Sequence, residues 1–379
     1  MKWLYSTIIS LILVLGTTTS QAQRALSLEA VIHSGPFKAG HIQGVAIDTD
    51  HKYIYYSYTT MLIKTDIKGN IVGTVTGLLG HLGDLDYNDA DGRLYGSLEY
   101  KNDAIGQGIL RMEKSTRTLE NAFYIAIFDV DRITRIGMDA EKDGIMKTVY
   151  LPTVLEDYLA TVELNGKQEP HRLGCSGIDG VAFGPAFGKS GGKYYLTVAY
   201  GVYGEPERSD NDYQVLLQYD ISKWGKFEHA LSQDDMHQMG PAKPTAQYFV
   251  KTGNTTYGVQ NLEYDEHTQA WILATYKGKK PTFPNYTIFM VDGTKAPKSE
   301  ALEGVPYIKK GATLSLKDMG KQQDDIRGWH FGLGSTGICS LGDGYFYISD
   351  NFKNDMGQGS IIRRYRFTGD DSEPFILAK

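Results

Sequence analysis

Histidines precede several of the repeated segments in this chain of 379 residues. Four of the nine histidines stand at equivalent places, namely His41, His81, His171 and His330. Imidazole has an ordinary pKa close to neutral pH, so a histidine in a cleft suits general acid–base chemistry. We therefore predict a polar site in which His81 or His171 is the general base. The alternative is that all four are ordinary solvated residues.

Other polar residues would complete such a site. Tyr200 is the candidate acid, and Arg172, Arg327 or Lys101 would neutralise a carboxylate or a developing negative charge. The predicted substrate contacts are His41, Tyr58, Glu99, Lys101, Tyr276, Arg327, Trp329, His330 and Asp350.

Oxygen-bearing side chains lie near the start of four innermost strands. Gln43, Asp84, Asp179 and Asn261 are expected to approach one another in a central channel, where they could hold a divalent cation such as Ca²⁺. The alternative is a plug of ordered water. If carboxylates rather than histidines do the chemistry, the candidates are Asp84, Asp179 and Glu99, and the separation of the acting pair would set the stereochemistry of glycoside cleavage.

One repeated pattern is expected to position these residues. A glycine-containing strand, a polar turn and a tyrosine-rich second strand recur five times, with first strands beginning near Gln43, Gly83, Asp179, Gln260 and Thr336. Four-stranded units repeated in this way predict an all-β fold, a β-propeller of five blades. A sixth blade between residues 111 and 171 is the alternative.

Particular segments are assigned to the outer positions of the blades. Residues 109–111 are predicted to be the third strand of the second blade, and residues 313–316 the outer strand of the fourth. Residues 28–32 would close the ring as the outer strand of the last blade, because an uncovered strand there would leave an exposed sheet edge. The competing closure uses residues 374–377.

The beginning of the chain has the pattern of a secretory leader. A positively charged start is followed by an apolar run at residues 8–15 and by a Ser-x-Ala ending at Ala22. The run is too short to span a bilayer. We predict cleavage before Gln23, a secreted or periplasmic location, and one propeller domain over residues 23–379 without a membrane span.

Composition and charge limit the kinds of partner and cofactor that the protein is expected to bind. The formal net charge of -6 argues against binding to nucleic acid. A Gly-x-Gly-x-x-Gly match at residues 332–337 leads into a strand rather than a helix, so it predicts no nucleotide cofactor. The two cysteines, Cys175 and Cys339, are either free and buried or paired.

The repeated phrase, at residues 41–46 and 178–183, resembles the strand openings of gluconolactonase-like and NHL-type propellers. The resemblance implies the propeller fold, which hosts many activities. A channel rim of tyrosine and tryptophan among acids and bases suits sugar rings and hydroxyl groups. We therefore expect a monomeric hydrolase or lyase that acts on a carbohydrate or small polar ligand. The alternative is a non-catalytic ligand-binding or scaffold propeller of the cell envelope.

Overall fold

The computed structural model describes residues 25–378, and the predicted leader at residues 1–22 lies outside them. In chain order the strands are β1 (Val31–Phe37), β2 (Ile42–Ile47), β3 (Tyr53–Tyr58), β4 (Met61–Asp66), β5 (Ile71–Thr76), β6 (His81–Asn88), β7 (Arg93–Tyr100), β8 (Ala122–Phe128), β9 (Met138–Asp139), β10 (Met146–Tyr150), β11 (Thr161–Leu164), β12 (Lys167–Pro170), β13 (Cys175–Pro185), β14 (Tyr194–Val202), β15 (Tyr213–Tyr219), β16 (His229–Ala230), β17 (Ala246–Lys251), β18 (Thr256–Asp265), β19 (Ala270–Tyr276), β20 (Ile288–Asp292), β21 (Lys298–Glu300), β22 (Gly311–Thr313), β23 (Lys321–Gln323), β24 (Ile326–Gly328), β25 (Ile338–Gly342), β26 (Tyr345–Asn354), β27 (Gly357–Phe367) and β28 (Phe375–Leu377). Helix α1 spans Ala104–Met112 and helix α2 spans Pro152–Leu159.

Five antiparallel sheets are arranged around one channel as the blades of a propeller. From the channel outward, blade 1 is β2-β3-β4-β5, blade 2 is β6-β7-β8-β10 and blade 3 is β13-β14-β15-β17. Blade 4 is β18-β19-β20, and blade 5 is β25-β26-β27 with β1 and β28. The innermost strands contact one another in the order β2, β6, β13, β18, β25 and back to β2. The predicted five-bladed propeller is confirmed.

The core lies between the blades. Middle strands such as β8 and β15 are buried along their whole length, because each face packs against a neighbouring blade. Trp271, in β19, is one of the largest fully buried side chains. Cys175 and Cys339 are both buried free thiols, which settles the alternative left open by their spacing.

The long segment between blades 2 and 3 contains no sixth blade. It supplies the third and outer strands of blade 2, helix α2 and the β11-β12 hairpin. The prediction that residues 109–111 form a third strand was wrong, because they lie in helix α1. Asp103 caps that helix by accepting a hydrogen bond from the Gly106 amide at 2.9 Å, and Ile109 and Leu110 are buried on one side of it.

The outer edge of blade 4 is irregular. The predicted outer strand at residues 313–316 divides between two blades: β22 pairs in parallel with β17 of blade 3, whereas Leu316 forms an isolated bridge to Val291 of blade 4. Trp329 makes a second isolated bridge, to Ile288. Blade 4 therefore has three regular strands, and loops cover its outer edge.

Bulges interrupt four of the innermost strands where they line the channel. The pairing register shifts between Ile42 and Gly44, Leu82 and Leu85, Ile178 and Val181, and Val259 and Asn261. A bulge turns an extra side chain away from the regular pleat. Glycine is needed beside the bulge of blade 1, since a Cβ on Gly44 would lie 2.8 Å from the Leu85 nitrogen of blade 2.

Both termini close the ring on the same strand. β1 pairs with residues 358–363 of β27, and β28 pairs with residues 365–367 of that strand. The predicted N-terminal closure is therefore confirmed, although the strand runs from Val31 to Phe37 rather than over residues 28–32. Buried Arg364 strengthens the closure, because its Nη1 donates to the carbonyl oxygens of Ala25, Leu26 and Leu28 at 2.7–3.1 Å.

In the described part of the chain, residues 25–378, no helix is long and apolar enough to cross a membrane.

Removal of the N-terminal strand is expected to destabilise the whole ring more than removal of the C-terminal one. Deleting residues 23–33 exposes the edge of β27 and removes buried Leu28 and Ile32, each of which contributes about 1.5–3 kcal/mol to the free energy of unfolding. Deleting residues 374–379 removes one such residue, Phe375. Thermal melting of the two truncated proteins checks the order. An unchanged melting temperature after the N-terminal deletion would contradict it.

Candidate functional site

The site begins at the end of the channel where β6 starts and β7 ends. His81 is the first residue of β6 and is paired in register with Glu99 of β7. Asp179, in the bulge of β13, approaches both of them from the next blade. Lys101 follows β7 and completes the group. We call His81, Glu99, Lys101 and Asp179 the channel-mouth cluster.

The imidazole of His81 faces two carboxylates. Its Nδ1 lies 3.7 Å from Glu99 Oε1 and 3.6 Å from Asp179 Oδ1, and this nitrogen is buried without a hydrogen-bond partner among residues 25–378. Lys101 Nζ makes an ion pair with Glu99 Oε1 at 2.5 Å and donates to the Ser176 carbonyl oxygen at 2.9 Å. The cluster thus combines an imidazole, two carboxylates and one cation within contact distance.

Burial governs the protonation of this cluster. Desolvation, with smaller contributions from Lys101 and His41, lowers the pKa of His81 to about 3, so its ring is neutral at pH 7. Burial and the neighbouring Glu99 raise the pKa of Asp179 well above its usual range. Burial also raises the pKa of Glu99, whereas Lys101 opposes that shift. Burial thus favours the protonated form of Asp179, whereas Lys101 stabilises the Glu99 carboxylate.

Backbone and side-chain contacts hold the two carboxylates. Glu99 Oε2 accepts a hydrogen bond from the Ile178 amide at 3.0 Å, and it can do so because Gly177 has no side chain: a Cβ there would lie 1.9 Å from that oxygen. Asp179 Oδ2 accepts from Gln260 Nε2 at 2.8 Å. Both groups are thus fixed from the neighbouring blade, which preorganises them for chemistry.

Apolar and aromatic groups surround the cluster. A small cavity beside His81, Glu99 and Lys101 has walls that include Ile105 and Leu110 of helix α1. His41 Nδ1 lies 3.5 Å from Gln43 Nε2, and His41 is the smallest of the three influences that lower the pKa of His81.

Two tyrosines of blade 4 lie near Asp179. Asp179 is one of the charges that raise the pKa of Tyr276, after burial. The ring of Tyr276 is 6.3 Å from that of Tyr257, which has a left-handed φ of 64° and is 49% exposed. Gln260 connects this pair to the cluster, because its Nε2 donates both to the Tyr257 carbonyl oxygen and to Asp179.

The other three predicted catalytic residues form a separate group in blade 3. Tyr200 is fully buried and donates to Asp157 Oδ2 at 2.7 Å, while Arg172 donates to Oδ1 of the same carboxylate at 2.5 Å. His171 packs between the rings of Tyr158 and Tyr203. Tyr200 thus lies beneath the surface, where its hydroxyl supports Asp157.

Several predicted substrate contacts lie elsewhere. Tyr58 is fully buried against Ser34, at 3.1 Å between hydroxyl oxygens, and Trp329 is 1% exposed with its indole donating to Asp370. Arg327 pairs with Asp318 at 2.8 Å, His330 packs on Tyr286, and Asp350 pairs with Arg363 at 2.9 Å. These five residues make contacts within their own parts of the fold. The structure shows no contact between any of them and the channel-mouth cluster.

Two of the four residues predicted to bind a cation, Asp84 and Asn261, accept hydrogen bonds from backbone amides. Asp84 Oδ2 accepts the amide hydrogens of Val181 and Leu262 at 3.1 and 2.9 Å, and Asn261 Oδ1 accepts that of Ile338 at 3.1 Å. Among residues 25–378 no group of three or more His, Cys, Asp or Glu has a metal-binding arrangement. The cation stays a prediction, and we derive no chemical step through it.

Sequence reasoning missed several residues that position the site. Gln260 holds Asp179, and Asp157 connects Arg172 to Tyr200, yet neither stands in a recognisable motif. Gln260 could have been suspected only from its place next to Asn261. Its side chain reaches the channel because of the bulge between Val259 and Asn261, and strand periodicity does not predict a bulge.

Substitution of Asp84 tests whether hydrogen bonds or a bound ion stabilise the blades around the channel. Asp84→Ala is expected to lower the free energy of unfolding by about 1–3 kcal/mol for each of the two amides left unsatisfied. Asp84→Asn should cost less, since its amide oxygen can still accept both. Chelator should leave the melting temperature of the unmodified protein unchanged. A drop with chelator that added Ca²⁺ reverses would contradict this and support a bound ion.

Comparisons with known proteins show similarity to solved structures but assign the chain to no family. No protein-family model and no curated protein sequence matches this chain. Among solved structures, the apo form of the soluble aldose sugar dehydrogenase from Escherichia coli is 11% identical, with 88% of this chain and 99% of that chain covered and a TM-score of 0.36. The luciferin-regenerating enzyme is 10% identical, with 91% and 96% covered and a TM-score of 0.34. At these values neither likeness carries an argument about activity, and the fold rests on the strand pairing itself.

Proposed function

We propose that this protein is an acid–base enzyme, a hydrolase or lyase, that cleaves a carbohydrate or a related polyhydroxylated substrate at the mouth of the channel. The observation that carries the proposal is the approach of two carboxylates to one unpartnered imidazole nitrogen, at 3.6 and 3.7 Å, beside a buried cation. Buried ionisable groups of this kind are common at catalytic sites.

The two carboxylates have different environments, and this supports different roles. Burial and the nearby Glu99 raise the pKa of Asp179 and so favour its protonated form, which suits a general acid that protonates a leaving oxygen. Glu99 is paired with Lys101 and suits a base or a stabiliser of positive charge. The neutral ring of His81 lies beside both carboxylates, with its Nδ1 facing each of them.

Aromatic side chains near Asp179 support a sugar-like substrate. Tyr257 exposes about half of its surface beside Tyr276, in a backbone conformation that costs about 1–3 kcal/mol for a residue other than glycine. Such rings pack on the apolar faces of sugars, while nearby polar groups bind the hydroxyls. Tyr257 and Tyr276 are the proposed platform.

Asp179→Asn is expected to lower kcat by about 10²–10⁴-fold, because the substituted amide cannot supply a proton. In the unmodified enzyme, activity should fall as pH rises through the elevated pKa of Asp179, since the acid is active only when protonated. A screen of aryl glycosides and sugar lactones identifies a substrate. The pH dependence of kcat for that substrate then shows whether activity falls at alkaline pH.

The matched control is Asp50→Asn, on the β2-β3 turn at the far end of blade 1, where Asp50 pairs with Lys52 at the surface. It should leave kcat and its pH profile unchanged. Equal turnover by the Asp179→Asn enzyme would contradict the acid role. Sugar binding without turnover of any substrate in the screen would favour the alternative, a ligand-binding propeller without catalysis.

We also propose that the protein is exported, with residues 1–22 removed as a leader. The support is the apolar run at residues 8–15 and the Ser-x-Ala ending at Ala22. Expression of the full chain in a bacterium should yield periplasmic or secreted protein that begins at Gln23, as measured by intact mass. Cytoplasmic protein that retains its first residues would contradict this. A monomeric state and the lack of a nucleic-acid partner stay predictions.

A further inference from the structure

The segment that enters β13 has an unfavourable backbone conformation. His171 has φ of 64° and Leu173 has φ of 60°, both in the left-handed region that side chains larger than glycine rarely adopt. Such conformations are unfavourable and persist only where surrounding contacts impose them.

A buried network imposes this conformation. Arg208 donates through Nη1 to the Pro170 carbonyl oxygen and through Nη2 to that of His171, each at 2.6 Å. Its guanidinium is paired with Asp210, which is 0% exposed. Tyr307 donates to Asp210 and accepts from the Leu173 amide at 3.0 Å. The contacts hold His171 from both sides of the strained segment.

The His171 ring has one defined orientation. Its Nδ1 lies 2.5 Å from the Tyr158 carbonyl oxygen, and because a carbonyl only accepts, Nδ1 carries the hydrogen. The ring packs between Tyr158 and Tyr203, with centroid distances of 4.6 and 4.9 Å. In the neutral ring the lone pair is therefore on Nε2, which has no hydrogen-bond partner among residues 25–378. The side chain is half-buried and reaches solvent.

This aromatic group is next to the channel-mouth cluster. Burial raises the pKa of Tyr158 and of Tyr203, and Lys101 of the channel-mouth cluster is among the charges that oppose both shifts. Lys101 in turn donates to the Ser176 carbonyl oxygen, five residues after His171 along the chain. Lys101 thus links the channel-mouth cluster to the segment that carries His171.

We propose that His171 and Tyr203, supported from beneath by the buried Tyr158 ring, form a second substrate subsite, in which His171 Nε2 accepts a hydrogen bond from a hydroxyl group of a second sugar unit. The inference rests on the proposed function and specifies its substrate class: molecules of at least two sugar units, one at the channel-mouth cluster and one at His171. Oriented acceptors beside aromatic rings are what a sugar unit requires, with ring faces for packing and lone pairs for hydroxyl hydrogens.

The test uses the mature full-length protein with ¹⁵N- and ¹³C-labelled histidine. NMR first reports the tautomer of the neutral His171 ring, which should carry its hydrogen on Nδ1. Glucose and galactose, and then cellobiose, maltose and lactose, are titrated at millimolar concentrations while the His81 and His171 signals are followed. At least one disaccharide should shift both signals, whereas the monosaccharides should leave His171 unshifted.

His171→Asn is the informative variant, since asparagine tolerates a left-handed φ and its amide can still donate to the Tyr158 carbonyl oxygen. It should weaken binding of that disaccharide about tenfold, the value of one lost hydrogen bond, and leave monosaccharide binding unchanged. Tyr203→Phe keeps the ring on His171 and removes only the hydroxyl, so it tests the same subsite should the first variant fold poorly.

The outcomes separate this inference from the proposed function. Shifts at His81 without any at His171 would overturn the subsite and leave the proposed function standing. Shifts at His171 with full turnover by the Asp179→Asn enzyme would overturn the acid role and leave the subsite standing. A hydrogen on Nε2 rather than Nδ1, or no shift at His171 with any of the five sugars, would also overturn the subsite.

Discussion

The structure depends on hydrogen bonds that cross the channel from one blade to the next. Each innermost strand is the edge of its own sheet, so its backbone amides on the channel side have no strand partner. Asp84 of blade 2 satisfies amides of blades 3 and 4, and Asn261 of blade 4 satisfies one of blade 5 and donates to the Gln43 carbonyl oxygen of blade 1. Glu263 likewise accepts from the Ser340 amide. Polar side chains at the channel axis therefore join the blades. The apolar side chains between the blades pack at the distance that these hydrogen bonds set.

The same arrangement explains why a candidate site lies beside these hydrogen bonds between blades. Asp84 and Asp179 both lie at bulges of innermost strands, yet Asp84 is buried and accepts hydrogen bonds from two backbone amides, whereas Asp179 is half-buried and its side chain accepts one from Gln260. A carboxylate that does not accept backbone amides from two blades can face the imidazole of His81 instead. The candidate chemistry therefore uses a bulge position that recurs on the innermost strands. At Asp179 this position accepts fewer hydrogen bonds from neighbouring blades than it does at Asp84.

Much of the fold could be predicted from sequence because five copies of one pattern report the same strands. The loops that bring His81, Glu99 and Lys101 to one end of the channel follow from that topology. The topology does not predict which face of a strand carries a given tyrosine. Tyr200 and Tyr58 are therefore predicted at the rim of the channel, whereas the structure buries both side chains. Residues 109–111 read as a strand because Ile-Leu-Arg suits either structure, and the cap at Asp103 decides in favour of a helix. Bulges leave no pattern in a single sequence, so the partner of Asp179 could not be predicted.

The closure of the ring by both ends of the chain has a consequence for synthesis and folding order. Arg364 binds the carbonyl oxygen of Ala25 across a separation of 339 residues, so the first strand to leave the ribosome is among the last to find its partner. Contacts between such distant residues carry a large loop-closure entropy and slow folding. Until blade 5 is made, the segment that becomes β1 has no edge on which to pair. The ring can therefore close only after nearly the whole chain has been synthesised.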